Sequence, residues 1–143
     1  MALTKKQRQQ VRDKSGGICW YCGNPLPEKG WHADHIEAVY RTPVRKSSAS
    51  LWGEVPEDIK QLLNGDGMQK PQNDHIDNIV PACAPCNLFK SVFTIEEFRR
   101  EISLQVDRAR KKSVNFRTAE RFGLLEAQPI AVVFWFEKQG ATP

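Results

Sequence analysis

The stretch PACAPCNLFK, residues 81–90, holds two cysteines separated by two residues and an asparagine directly after the second. One other stretch matches its spacing: ICWYCG, residues 18–23, carries Cys19 and Cys22, and with Cys83 and Cys86 these account for all 4 cysteines of the chain. A two-residue spacer aims both thiolates of a knuckle at one ion, and two knuckles fill the four positions of a tetrahedral zinc with protein sulfur. Such a closed site is structural, because no position remains for water or substrate. A redox dithiol and plain buried thiols are the alternatives. Four cysteines in a reducing compartment rarely form disulfides, which favours the metal.

Outward from the knuckles, the chain reads as one domain spanning 1–143. Its 143 residues, 40% of them hydrophobic, suffice for one modest core. The formal net charge of +4 and the pI near 9.0 favour an anionic partner, with nucleic acid the first candidate and a solvated basic surface the alternative. No apolar run is long enough to span a membrane, and the opening MALTKKQRQQVRDK is basic and helical instead of carrying the apolar stretch of a signal peptide. The expectation is a soluble, cytoplasmic protein.

Residues 4–14 form a short exposed basic helix stopped by SGG. WHADHIEAVY, residues 31–40, has the character of a strand interrupted by two histidines and an aspartate. From 41 to 73 the composition shifts to Ser, Pro, Gly and charge, with only PEDIKQLL (56–63) looking helical. DNIVPAC is β-branched enough for a second strand, and APCNLFKSV starts a short helix. Thr94 and Glu97 make a capping box for a helix with Ile95, Phe98, Ile102, Val106 and Ala109 on one face. Its other face carries Arg99, Arg100, Arg108 and Arg110, which serve either as a solvated surface or as phosphate contacts. Thr118 is placed to cap a brief helix in AERFG, and PIAVVFWFEK (129–138) reads as a buried C-terminal strand.

A structural zinc explains the cysteines but not the polar residues around them. Asp34 and His35 sit in an otherwise apolar strand, Asn78 lies five residues before Cys83, and Asn87 follows Cys86. By tying the knuckles together, zinc brings Asp34, His35 and Asn87 within reach of one another despite about 50 intervening residues.

WHADHI, DNIVPAC and CAPCNLFK, in this order, resemble the motif of the HNH endonuclease family: a strand ending in His-His or Asp-His, a central Asn, and a His or Asn just after a CxxC. The resemblance covers residues 19–90. It implies an α+β fold with a ββα-metal core braced by a four-cysteine zinc site, carrying an insertion at about 41–73 and a helical and strand extension over 94–137. It also implies metal-dependent hydrolysis of DNA, with one divalent ion. The departures are a long connection from His35 to Asn78 and EAVYRTPVRKSSASLWG where many members have Pro and a Gly-Gly pair. The insertion is either a DNA-contacting element or a lid.

Phosphodiester hydrolysis asks for these residue types. A neutral imidazole suits the deprotonation of water near pH 7, and His35 stands where the family places its base. Oxygen donors from Asp34 and Asn87 suit Mg²⁺ or Mn²⁺, with water and phosphate oxygens completing the shell. The resemblance gives Asn78 a supporting role, its amide fixing the loop that carries His35; the plainer alternative is an Asx turn. Lys90, one turn beyond Asn87, faces either the same phosphate or solvent. His75 is a candidate for contact with substrate, and His32, two residues before Asp34, for an additional ligand; both are otherwise ordinary polar residues. The products implied carry 5′-phosphate and 3′-hydroxyl. One active site implies nicking, and a double-strand cut needs a dimer or two encounters. Members serve in phage DNA packaging, restriction, repair and intron mobility, so the resemblance narrows the reaction more than the role. A zinc module that binds nucleic acid or protein without turnover is the competing reading.

Overall fold

A computed structural model describes residues 2–41 and 68–141. The first helix, α1 (Lys5–Asp13), begins at Thr4, whose side chain accepts from the Gln7 amide while Gln7 reaches back to the Thr4 backbone. This reciprocal cap satisfies two of the orphan donors at the helix start. Val11 is fully buried, and Lys14, just past the helix, donates to the carbonyls of Ile76 (2.7 Å) and Ile79 (2.8 Å). The basic helix is thereby moored to the strand that precedes the second knuckle.

Strand β1 (His32–His35) pairs antiparallel with β4 (Ile79–Ala82), in a register that sets His32 opposite Ala82 and His35 opposite Ile79. Between them, β2 (Tyr40–Arg41) and β3 (Met68–Gln69) form a second two-stranded ladder at the base of the insertion. The helical expectation for 56–63 lies outside the described residues. Helix α2 (Ala84–Lys90) starts at Cys83, with Pro85 in its first turn where a missing N–H costs nothing. The result is a small mixed α+β domain with two-stranded sheets, several short helices and a cluster of four cysteines.

Helix α3 (Ile95–Ser103) has the capping box read from Thr94 and Glu97. The single long helix expected from the apolar face is broken at Leu104, and α4 (Gln105–Lys112) continues separately. Of the five apolar residues on that face only Phe98 is buried; Ile95 and Ile102 pack against the core, while Val106 and Ala109, in the second half, are not part of the core of the described residues. Helix α5 (Val114–Arg121) is capped by Ser113, which accepts from the Phe116 amide, and Thr118 therefore lies inside it and caps nothing.

The expected C-terminal strand is also corrected. Residues 129–134 pair with no strand among the described residues, and α6 (Trp135–Lys138) follows. Strand propensity reflects a fit to a half-buried pleated surface, and no sheet edge among the described residues receives this segment. It docks by aromatic packing instead: Phe134 stacks on Phe98, Phe136 stacks on Trp20, and the amides of Trp135 and Phe136 bond the carbonyls of Tyr21 (2.8 Å) and Trp20 (3.2 Å). Ile130 and Val133 stay exposed. Gly23 permits the close approach of α6, since a Cβ there would meet Trp135 Cδ1 at 2.9 Å. No helix among the described residues is long and apolar enough to cross a membrane.

Candidate metal centre and active site

Ligand atoms of Cys19, Cys22, Cys83 and Cys86 all lie within 4.8 Å of one another. Zinc–sulfur bonds of about 2.3 Å at tetrahedral angles put sulfurs roughly 3.8 Å apart. Cys22 Sγ and Cys83 Sγ are separated by 3.8 Å. The Cys83 amide points at Cys19 Sγ at 3.3 Å, and the Cys19 thiol is held down at about 4, chiefly by its hydrogen bond with Cys86. Burial foremost pushes Cys22 up to about 11, so loading a metal displaces protons from this cluster. The donor set and spacing fit one closed metal site, and soft thiolates favour zinc over hard cations.

Tyr21, between the two cysteines of the first knuckle, sends its hydroxyl to Asp34 Oδ2 at 2.5 Å. Lys90 comes to the same oxygen at 3.2 Å and donates to the His35 carbonyl at 2.7 Å. Lys90 is fully buried and Asp34 nearly so. Burial foremost raises the Asp34 carboxyl above its usual range, against the opposing pull of Lys90 and Tyr21. One buried carboxylate thus joins the knuckle, the strand and the helix. Lys90, expected on a phosphate-facing or solvent-facing surface, is turned inward by this pairing.

Among the described residues, Tyr21 and Lys90 both meet Asp34 at Oδ2, so Oδ1 is the oxygen that could turn to an ion. Asn87 stands one turn before Lys90, and its side-chain amide has no hydrogen-bond partner among the described residues. Two neutral-to-anionic oxygens suit a divalent ion that keeps most of its water. The Lys90 ammonium offsets part of the attraction such an ion would feel.

Side chains of Asp34 and His35 leave the pleated strand on opposite faces. His35 Nε2 meets Asp74 Oδ1 at 3.0 Å, and the imidazole lines a cleft of about 480 Å³ together with Arg8, Trp31, His32 and Ala33. Burial acts to raise the Asp74 carboxyl, yet its hydrogen bonds, that to His35 among them, keep it below its usual range. With Nε2 on Asp74, Nδ1 is the ring nitrogen left for another partner.

Asn78 is buried and bridges the loop after His35. Its amide nitrogen donates to Glu37 O (2.9 Å) and Asn73 O (2.8 Å), its Oδ1 accepts from the Glu37 amide (3.0 Å), and its own carbonyl accepts from the Ile36 amide (2.9 Å). His75 is exposed and faces a hollow shared with Glu37 and Asn78. His32 is exposed at the start of β1.

Arg99 does not face outward as a phosphate contact requires. Its guanidinium pairs with Glu137, reaches Glu96 at 3.2 Å and the Val132 carbonyl at 2.7 Å, and lies 4.8 Å from the centre of the Phe134 ring. It fastens the C-terminal segment to α3. Arg100 remains on the surface, 3.9 Å from Glu101.

Sequence reasoning passed over Tyr21 and Asp74. Tyr21 looked like filler between ligands, and Asp74 sits 39 positions from the imidazole it meets, beside the more conspicuous His75. Comparison of the chain with family profiles, with curated proteins and with solved structures returns no match.

Proposed function

We propose that this protein is a metal-dependent DNA endonuclease of the HNH kind, belonging to the ββα-metal group braced by a four-cysteine zinc. The observation that supports it best is the way the cysteine cluster and the Tyr21–Asp34–Lys90 contact join the Asp34-His35 strand to the Asn87 helix. His35 acts as general base: Asp74 holds Nε2–H, and Nδ1 takes the proton of the attacking water. Asn78 fixes the turn that follows His35, keeping the imidazole at a set angle to the cleft. Asp34 Oδ1 and Asn87 would hold the divalent ion, Mg²⁺ or Mn²⁺. When bound, such an ion offsets charge on the phosphate and on the departing 3′ oxygen. The zinc takes no part in the reaction and sets the positions of the elements that do. Hydrolysis leaves 5′-phosphate and 3′-hydroxyl.

One observation favours a second reading. Lys90 neutralises Asp34 in a buried pair, as expected of an inert core contact, and a four-cysteine module binding nucleic acid without turnover would tolerate it. Supercoiled plasmid incubated with zinc-loaded protein and Mg²⁺ or Mn²⁺ separates the two. Nicked or linear plasmid, with ends that a ligase reseals directly, supports the endonuclease. Retarded but intact plasmid supports the binding module.

A further inference from the structure

The cleft that His35 lines does not end at the imidazole. A second cleft of about 420 Å³ is formed by Lys5, Arg8, Gln9, Arg12, Glu28 and Trp31. Arg8 and Trp31 border both, so the two meet at this pair. Lys5, Arg8 and Arg12 are spaced i, i+3 and i+7 on α1, which places all three cations on one helix face. Arg8 lies over the Trp31 ring, 4.1 Å from its centre, and donates to the Trp31 carbonyl at 2.6 Å. Arg12 is anchored by the carbonyls of Pro27 (2.8 Å) and Leu26 (3.0 Å). Two of the three guanidinium and ammonium groups are therefore held in place before any ligand arrives, and Glu28 is the one acid among the described residues that line this cleft.

We propose that the Lys5–Arg8–Arg12 face of α1 is the track along which a DNA backbone runs to the cleft of His35. This rests on the endonuclease reading and adds the surface that binds substrate. Preorganised cations lose little freedom on binding, and a guanidinium fixed by stacking and a carbonyl keeps further N–H donors for phosphate oxygens. The mooring of Lys14 to β4 keeps α1 in a fixed relation to the strand pair. The cationic face and the reactive histidine thus belong to one rigid unit.

The test measures binding of zinc-loaded protein to a short fluorescein-labelled DNA duplex, without added Mg²⁺ or Mn²⁺, across a range of salt concentrations. The slope of log K against log salt counts phosphate contacts, at about 0.9 per contact for duplex DNA. Lys5→Gln and Arg8→Gln are each expected to reduce that slope by roughly one and to weaken binding on the order of tenfold. Lys5 is exposed at the start of α1, so its substitution leaves folding intact. Arg8→Lys keeps the charge and is expected to restore most of the slope. Lys111→Gln with Lys112→Gln, on exposed positions of α4, is the control and should leave the slope unchanged. An unchanged slope in the Lys5→Gln, Arg8→Gln double variant of a protein that cuts plasmid overturns the track alone. An equal fall in the α4 control, or displacement of the duplex by polyglutamate at matched charge, overturns it too. Wild-type protein that neither binds nor cuts DNA overturns both the track and the endonuclease reading. Binding that depends on this face without cleavage upholds the face as a DNA-binding surface and overturns the endonuclease reading, and with it the delivery of substrate to His35.

Discussion

Replacing Lys90 by Met tests the joint on which the site is built. Lys90 is 0% exposed and Asp34 7%, and the ammonium sits 3.2 Å from the carboxylate. Methionine keeps most of the volume and none of the charge, so the substitution isolates the electrostatic part. Breaking a buried pair from one side leaves an uncompensated charge and costs about 3–5 kcal/mol. The bond from Lys90 to the His35 carbonyl is lost as well, and among the described residues Tyr21 is the hydrogen-bond partner left to the Asp34 side chain. Against a total stability of about 5–15 kcal/mol for a domain, this is a large fraction. In zinc-saturated urea titrations, with a slope of roughly 1.5 kcal/mol per molar, the midpoint should fall by about 2–3 M. The double variant Lys90→Met, Asp34→Asn removes the stranded charge and should recover much of the loss, giving a coupling energy above about 1 kcal/mol. A Lys90→Met midpoint within about 0.5 M of wild type, or a double variant whose losses simply add, would refute the buried pair as a structural joint.

Cys83→Ser should lower zinc content and stability together, measured by metal analysis and urea titration on one preparation, because a closed zinc site contributes directly to folding. Asp74→Asn should retain zinc and fold while slowing plasmid cleavage by about tenfold or more, since general-base catalysis contributes about 10²–10⁴ and depends on the orientation of the imidazole. Acid should loosen the C-terminal segment. Hydrogen bonding to Arg99 foremost holds the Glu137 carboxyl below its usual range, so its stabilising contribution is present above the ordinary carboxylate value, about 4.3, and is lost as pH falls through the lower folded value. Tryptophan fluorescence from Trp135 and Trp20 should report this change, and Glu137→Gln should abolish its pH dependence.

Much of the core was legible because its signals are local or paired by chemistry. Two CxxC knuckles announce one tetrahedral site wherever they lie, and Thr94 with Glu97 announces a helix start whatever packs above it. The strand character of WHADHI and DNIVPAC follows from apolar and β-branched content, although their register does not. What escaped is set by tertiary context. The break at Leu104 depends on where the core stops beneath a helix, which an apolar stripe does not reveal. PIAVVFWFEK has every mark of a strand, yet a strand needs a free edge, and this segment meets aromatic rings instead. Lys90 reads as a surface cation and is buried because a carboxylate 56 positions earlier in the chain awaits it. Asp74 lacks any motif, and its meaning comes only from the fold that carries it to His35.

If His35 reacts while the cysteine cluster only holds, plasmid cleavage and zinc content must separate when the imidazole is removed. Both are measured side by side for wild type and His35→Ala, in Mg²⁺ and in Mn²⁺. One zinc and an unaltered fold are predicted in both proteins, with nicked plasmid from wild type and at least about 100-fold slower nicking from His35→Ala. Equal cleavage by the two proteins, or cleavage by neither, would contradict that division of labour.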